Sequence, residues 1–120
     1  MTDMHLNHIA IIVSAEEGVD FYKSLGFAET TRFVRERDTV VFLKNADGIT
    51  LELFVDAAHP ARLSYPEAKG LRHVCFSVPD LDAAMQSVPC EPARTDFFGH
   101  RFTFTKDPDG QPVEFCEIIS

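Results

Sequence analysis

The chain alternates between two hydrophobic rhythms, and it does so twice. His8-Ile9-Ala10-Ile11-Ile12-Val13 is a β-branched run that opens directly onto a helical pattern, and His73-Val74-Cys75-Phe76-Ser77-Val78, 65 positions later, does the same. Runs of this length and composition predict strands. Further along, Asn45-Ala46-Asp47-Gly48 precedes Ile49-Thr50-Leu51-Glu52-Leu53-Phe54, and Asp107-Pro108-Asp109-Gly110 precedes Gln111-Pro112-Val113-Glu114-Phe115-Cys116. Each of these reads as a turn followed by a strand. The chain is therefore an internal repeat of one unit.

In the first copy Ser14 is placed as N-cap and Glu17 as its capping-box partner. Val19, Phe21, Tyr22 and Leu25 supply an apolar stripe, and Gly26 supplies the stop. Strands are expected over 27–37 and 39–44, then from the turn at Asp47-Gly48 to Val55. In the second copy Asp80 caps a short helix to about Ser87, and strands follow over 101–106 and 111–119. The unit is βαβββ, with modules about 1–57 and 70–120 and a linker at 58–69. Neither half carries enough apolar surface to stand alone easily. The expected fold is α+β, two βαβββ modules forming one curved mixed eight-stranded sheet with helices outside, in a single domain spanning 1–120.

Composition narrows the functional classes. Eleven Lys and Arg against 19 Asp and Glu give a formal charge of −8. No basic stripe offers itself to a phosphate backbone or an anionic membrane, so neither nucleic acid nor membrane is an expected partner. The start of the chain has no apolar segment of the kind that directs secretion, and the longest strictly apolar run, 9–13, is far too short to span a bilayer. Cys75, Cys90 and Cys116 are odd in number and lack C-x-x-C spacing, which fits reduced thiols and a cytoplasmic location.

Alternation along the strands singles out four side chains. His8 shares a face with Ala10 and Ile12, and His73 shares one with Cys75 and Ser77. Glu52 goes with Thr50 and Phe54, and Glu114 with Pro112 and Cys116. In each strand the continuous apolar set belongs against the helices, which puts each His and Glu on the opposite face. Taken singly, such a residue is more often a satisfied structural histidine or a solvated glutamate than a ligand. Four of them at matched positions of a repeat favour a common partner, and a divalent cation supplies one.

These residues also carry a resemblance. Asn7-His8-Ile9-Ala10-Ile11, Asp20-Phe21-Tyr22-Lys23-Ser24-Leu25-Gly26-Phe27, Leu51-Glu52-Leu53-Phe54, Gly70-Leu71-Arg72-His73-Val74-Cys75-Phe76-Ser77-Val78 and Asp107-Pro108-Asp109-Gly110-Gln111-Pro112-Val113-Glu114 together resemble the vicinal oxygen chelate superfamily of glyoxalase I, fosfomycin-resistance proteins and extradiol dioxygenases. Tyr65-Pro66-Glu67-Ala68 is similar to the small bacterial glyoxalase-like proteins within it. The resemblance implies His8, Glu52, His73 and Glu114 as metal ligands, one divalent ion (Ni, Co, Zn, Mn or Fe(II)) as cofactor, and a cytoplasmic homodimer. Whether one chain or two would supply the ligands stays open.

The ligand count then points to chemistry. Two histidines and two glutamates leave two positions on a six-coordinate ion, enough for a bidentate substrate but one short of a catechol plus O2. The expected activity is a glyoxalase-type lyase or isomerase that shuttles a proton next to a carbonyl through an enediolate held at the cation. Glu114 is the expected base, with Glu52 as ligand and possible partner. The alternatives are a metal-containing binding or sequestration protein without turnover, an extradiol dioxygenase, and a fosfomycin-type thiol transferase. The expected partner is a small molecule, a thiol adduct being one form of it. Phe54, Arg72, Cys75, His100 and Arg101 are candidate substrate contacts, with Arg94 a further candidate anion clamp. Phe97 and Phe98 are candidates for an apolar wall, His5 and His59 read as exposed, and Phe102 and Phe104 read as core.

Overall fold

The computed structural model describes residues 3–118, so the last expected strand position, Ile119, lies outside the described residues. The chain resolves into two compact units, Met1–Pro60 and Ala61–Ser120. The first contains β1 (Ile9–Val13), α1 (Glu16–Ser24), β2 (Ala28–Val34), β3 (Thr39–Lys44) and β4 (Thr50–Val55). The second contains β5 (Val74–Val78), α2 (Leu81–Ser87), β6 (Arg94–Thr95), β7 (Arg101–Lys106) and β8 (Pro112–Glu117). Both are βαβββ, as the repeat predicted. The strands pair as two four-stranded sheets, β1-β4-β3-β2 and β5-β8-β7-β6, rather than as one continuous eight-stranded sheet. In each, the first strand runs parallel to the last and the remaining pairs are antiparallel.

The pleat sorts side chains as expected. Val13, Leu51, Leu53, Val41 and Leu43 are fully buried with Val19 and Tyr22 of α1. Removing each such side chain from water stabilises the fold by roughly 1.5–3 kcal/mol. Helix α1 lies close on β1, because a Cβ at Gly18 would meet the Val13 Cβ at 2.5 Å. That approach bears on the first correction. The helix starts at Glu16 with Ala15, which carries no capping group, in the N-cap position where Ser14 was expected. In the second unit the Asp80 cap is as read: its carboxylate accepts from the Ala83 N–H.

Two further corrections concern strands. Expected to run over 27–37, β2 ends at Val34, where the Arg35 N–H bonds to the Asp38 carbonyl and closes the hairpin. On β7 the buried pair is Thr103 and Thr105, not Phe102 and Phe104. The two threonine hydroxyls donate to the Glu91 and Pro89 carbonyls, which makes their burial affordable, and the phenylalanines are turned to the other face.

The turns that set each register are built alike. The Asn45 side-chain oxygen accepts from the Ile49 N–H at 2.9 Å, and that of Asp107 accepts from the Gln111 N–H at 3.0 Å. Gly48 and Gly110 take φ of 81° and 86°, a left-handed conformation that glycine adopts without a Cβ penalty.

Candidate functional site

Each unit presents one His–Glu pair on the face away from its helix. In the first, His8 immediately precedes β1, Glu52 lies on β4, and Nε2 is 3.1 Å from Oε1. In the second, His73 immediately precedes β5, Glu114 lies on β8, and the corresponding distance is 3.0 Å. The neighbours of each glutamate are also equivalent. Ala10 and Phe42 flank Glu52 across its two ladders, and Cys75 and Phe104 flank Glu114. The Phe104 ring sits edge-on to the His73 imidazole, with centroids 4.9 Å apart.

The histidine environments differ. His8 Nδ1 is 2.8 Å from the Asn7 side-chain oxygen, so Nδ1–H donates and Nε2 faces Glu52. A proton or a cation between Nε2 and the carboxylate satisfies this arrangement. His73 Nδ1 lies 3.2 Å from Arg72 Nη1, a group that can only donate, so Nδ1 accepts and Nε2–H donates to Glu114. Both pairs suit a divalent ion in donor chemistry, imidazole nitrogen with carboxylate oxygen. Their N–O separations match neighbouring ligands on one ion, about 3 Å for bonds of roughly 2.0–2.2 Å.

Around the first pair, Glu52 opens onto a cleft of about 510 Å³ whose walls include Phe33, Val34, Arg35 and Phe42. The Arg35 guanidinium lies over the Phe54 ring at 5.8 Å and is gripped by Asp38, whose carboxyl it holds below the usual range. In the second unit a pocket of about 230 Å³ is lined by Arg62, Arg72, Arg94, Lys106 and Phe104 together with Glu67 and Glu91. Three of its cations are partnered: Arg62 and Arg72 by Glu67, and Arg94 by Glu91.

The other sequence candidates fall as follows. Cys75 is exposed as a residue beside Glu114, and its thiol is pushed up to about 12 by burial of the sulfur, with the Glu114 charge adding to it. Arg101 points to the helix side, where it pairs with Asp82 at 2.8 Å and Glu117 at 3.6 Å. Phe97 and Phe98 stand out in solvent in the β6–β7 turn. His5 and His59 are exposed, and His59 lies 3.4 Å from Asp56. His100 comes close to Asp96, with Nδ1 3.8 Å from Oδ2, and Cys116 donates to that same Oδ2 at 3.6 Å. Burial, then the Asp96 carboxylate, raises the Cys116 thiol.

Phe42, Asn7 and Asp96 were given no functional role from sequence, and Phe104 was read as core. Counting outward from Asp47-Gly48 and Asp109-Gly110 along each hairpin would have paired the two phenylalanines with Glu52 and Glu114. Asn7 and Asp96 act through loop geometry that no periodicity reports.

The sequence model of the glyoxalase/bleomycin resistance protein/dioxygenase superfamily matches residues 5–115. The chain belongs to that superfamily. It is 41% identical to YaeR, an uncharacterized protein of Escherichia coli K12, over 93% of this chain and 95% of that one. It is similar to the crystal structure of a glyoxalase family protein from Enterococcus faecalis, with a TM-score of 0.88 at 35% identity over 98% of this chain and 100% of the other. It is also 29% identical to the lactoylglutathione lyase of Pseudomonas putida, over 92% and 83% of the two chains. The α+β architecture is that of the vicinal oxygen chelate fold. Superfamily members generally bind a divalent metal ion and small-molecule substrates, and they often form dimers. No helix among the described residues is long and apolar enough to cross a membrane.

Proposed function

We propose that this chain is a divalent-metal-dependent lyase or isomerase of glyoxalase type, working as a homodimer, with His8, Glu52, His73 and Glu114 as the ligands of its ion. The observation that carries the reading is the duplicated His–Glu pair, placed at equivalent positions of both units on the face away from the helices. Superfamily membership supports it. When bound, a divalent ion of this class polarises substrate oxygens as a Lewis acid and offsets the negative charge that builds on them.

The chain's own residues do the rest. An oxygen of the Glu114 carboxylate takes the proton from the substrate carbon next to the carbonyl and returns it to the neighbouring carbon. Glu52 serves as ligand and as second carboxylate. Asn7 orients the His8 ring by accepting from Nδ1–H, which keeps Nε2 free for coordination. Phe42 and Phe104, beside the two glutamates, supply apolar surface for the substrate body.

The test is metal content followed by turnover. Protein purified without chelator is expected to carry Ni, Co, Zn, Mn or Fe, and His73→Ala and Glu114→Ala are expected to lose it. Wild type is then assayed on methylglyoxal with several thiols. Metal content unchanged in both variants would overturn the ligand assignment. Saturable binding of the thiol adduct without product would replace the lyase reading with sequestration.

A further inference from the structure

We propose that Asp96, His100 and Cys116 form a second metal site in the Ala61–Ser120 unit, taking Zn2+ or another borderline-soft divalent ion and separate from the His–Glu pairs. One ligand atom from each, a carboxylate oxygen, an imidazole nitrogen and Cys116 Sγ, lies within 4.8 Å of the others.

The spacings suit a shared ion. Asp96 Oδ2 to His100 Nδ1 is 3.8 Å, too long for a hydrogen bond, and Asp96 Oδ2 to Cys116 Sγ is 3.6 Å. Tetrahedral zinc with bonds of about 2.0 Å to oxygen or nitrogen and about 2.3 Å to sulfur needs separations of roughly 3.3–3.6 Å, so the two Asp96 separations have only to close by tenths of an ångström and the third by about 1 Å at most. The mixed N, O and S donors select a zinc-like ion over Mg2+ or Ca2+.

The site is also held in place. Asp96 Oδ1 accepts from the N–H groups of Phe98 and His100, both at 2.9 Å, which leaves Oδ2 turned to the cluster. The Asp96 N–H bonds to the His100 carbonyl at 2.8 Å, and Gly99 takes the left-handed φ of 83° that the tight turn requires. Cys116 is fixed on β8. The first unit provides an internal control. Its corresponding hairpin end, 35–38, lays Arg35 over Phe54, at the position equivalent to Cys116. The hairpin end that offers a cation to an aromatic ring there offers two ligand atoms to a thiol here. The hydrogen-bonded proton between Cys116 Sγ and Asp96 Oδ2 is what an ion would replace, and it would leave to solvent. Three protein ligands leave a fourth position for water.

Cobalt distinguishes this site from the His–Glu set, because only a sulfur ligand gives a near-ultraviolet thiolate-to-Co2+ charge-transfer band. Titration of the purified full-length chain with Co2+ is expected to produce that band and Zn2+ to abolish it. The band is expected to vanish in Cys116→Ser, to require roughly 10–100-fold more Co2+ in His100→Gln, and to persist in Cys90→Ser. His100→Gln alters a partly exposed loop residue, so it reports even if Cys116→Ser folds poorly. The band is also expected to persist in Glu114→Gln, which separates failure of this site from failure of the His–Glu assignment. No band at saturating Co2+, a band unchanged in Cys116→Ser, or a titration unchanged in His100→Gln would overturn the proposal.

Discussion

The two His–Glu pairs are almost superimposable in chemistry and opposite in support. His8 is backed by an acceptor, Asn7, and His73 by a donor-only cation, Arg72. The first ring therefore needs a proton or a cation between Nε2 and its glutamate, and the second already donates a proton from Nε2. Coordination through Nε2 needs Nδ1 as the donor, the arrangement Asn7 favours. For His73 it requires the ring to exchange tautomers and the guanidinium to give up its hydrogen bond to Nδ1. Under the proposed ligand assignment, the first pair would be ready for an ion and the second would have to be released. The same contrast runs through the helices, where the N-cap is Ala15 in one unit and Asp80 in the other.

The largest effect that would break this comparison is at Asn7. Asn7→Ala removes the group orienting His8 and is expected to weaken metal affinity about 10–100-fold, read by calorimetric titration. Arg72→Gln is expected to act in the opposite direction, strengthening affinity by about fivefold, since roughly 1 kcal/mol of competing hydrogen bond is lost from the apo state. If both variants weaken binding equally, the asymmetry has no energetic content.

The helix contrast is next. Asp80→Ala is expected to cost about 1 kcal/mol in chemical denaturation, and Ala15→Asp to add about 0.5–1 kcal/mol, by placing a carboxylate at the N-cap position of α1. The smallest effect lies on the surface of the first unit, where Arg32 bonds both Glu16 and Glu29. Hydrogen bonds from Arg32 and then Lys23 pull the Glu29 carboxyl down to about 2, well below the usual carboxylate range. A depressed carboxylate contributes stability that is fully present above its unfolded value and is lost as pH falls toward 2. Arg32→Ala should therefore destabilise by under about 1 kcal/mol at pH 7, with the difference from wild type shrinking between pH 4.5 and 2. A difference that stays constant over that range would show that the loss is packing rather than charge.

Most of the fold was legible because it repeats. The alternation that placed Leu51, Leu53 and Val113 inward placed Glu52 and Glu114 outward, and burial follows that pattern. Expectation and structure part where a local contact outranks a pattern. Ser14 looks like a cap, yet the helix begins one turn-position later, where Gly18 closes on Val13. Phe102 and Phe104 look like core, yet two threonines are buried in their place because the carbonyls of Glu91 and Pro89 meet their hydroxyls. The two His–Glu pairs were legible and their supports were not, since a side chain on a strand obeys parity and the Asn7, Arg72 and Asp96 contacts do not.

The paired turns at 45–48 and 107–110 act as phase setters for the whole arrangement. Because side chains invert with every residue along a strand, one inserted residue in the second turn would send Glu114 toward the helix and bring Val113 out in its place. The same insertion at the tip of the hairpin ending near His100 would leave the glutamate's orientation untouched. Length can therefore vary at the hairpin tips, where new contacts are tried, while two four-residue turns keep both carboxylates in frame.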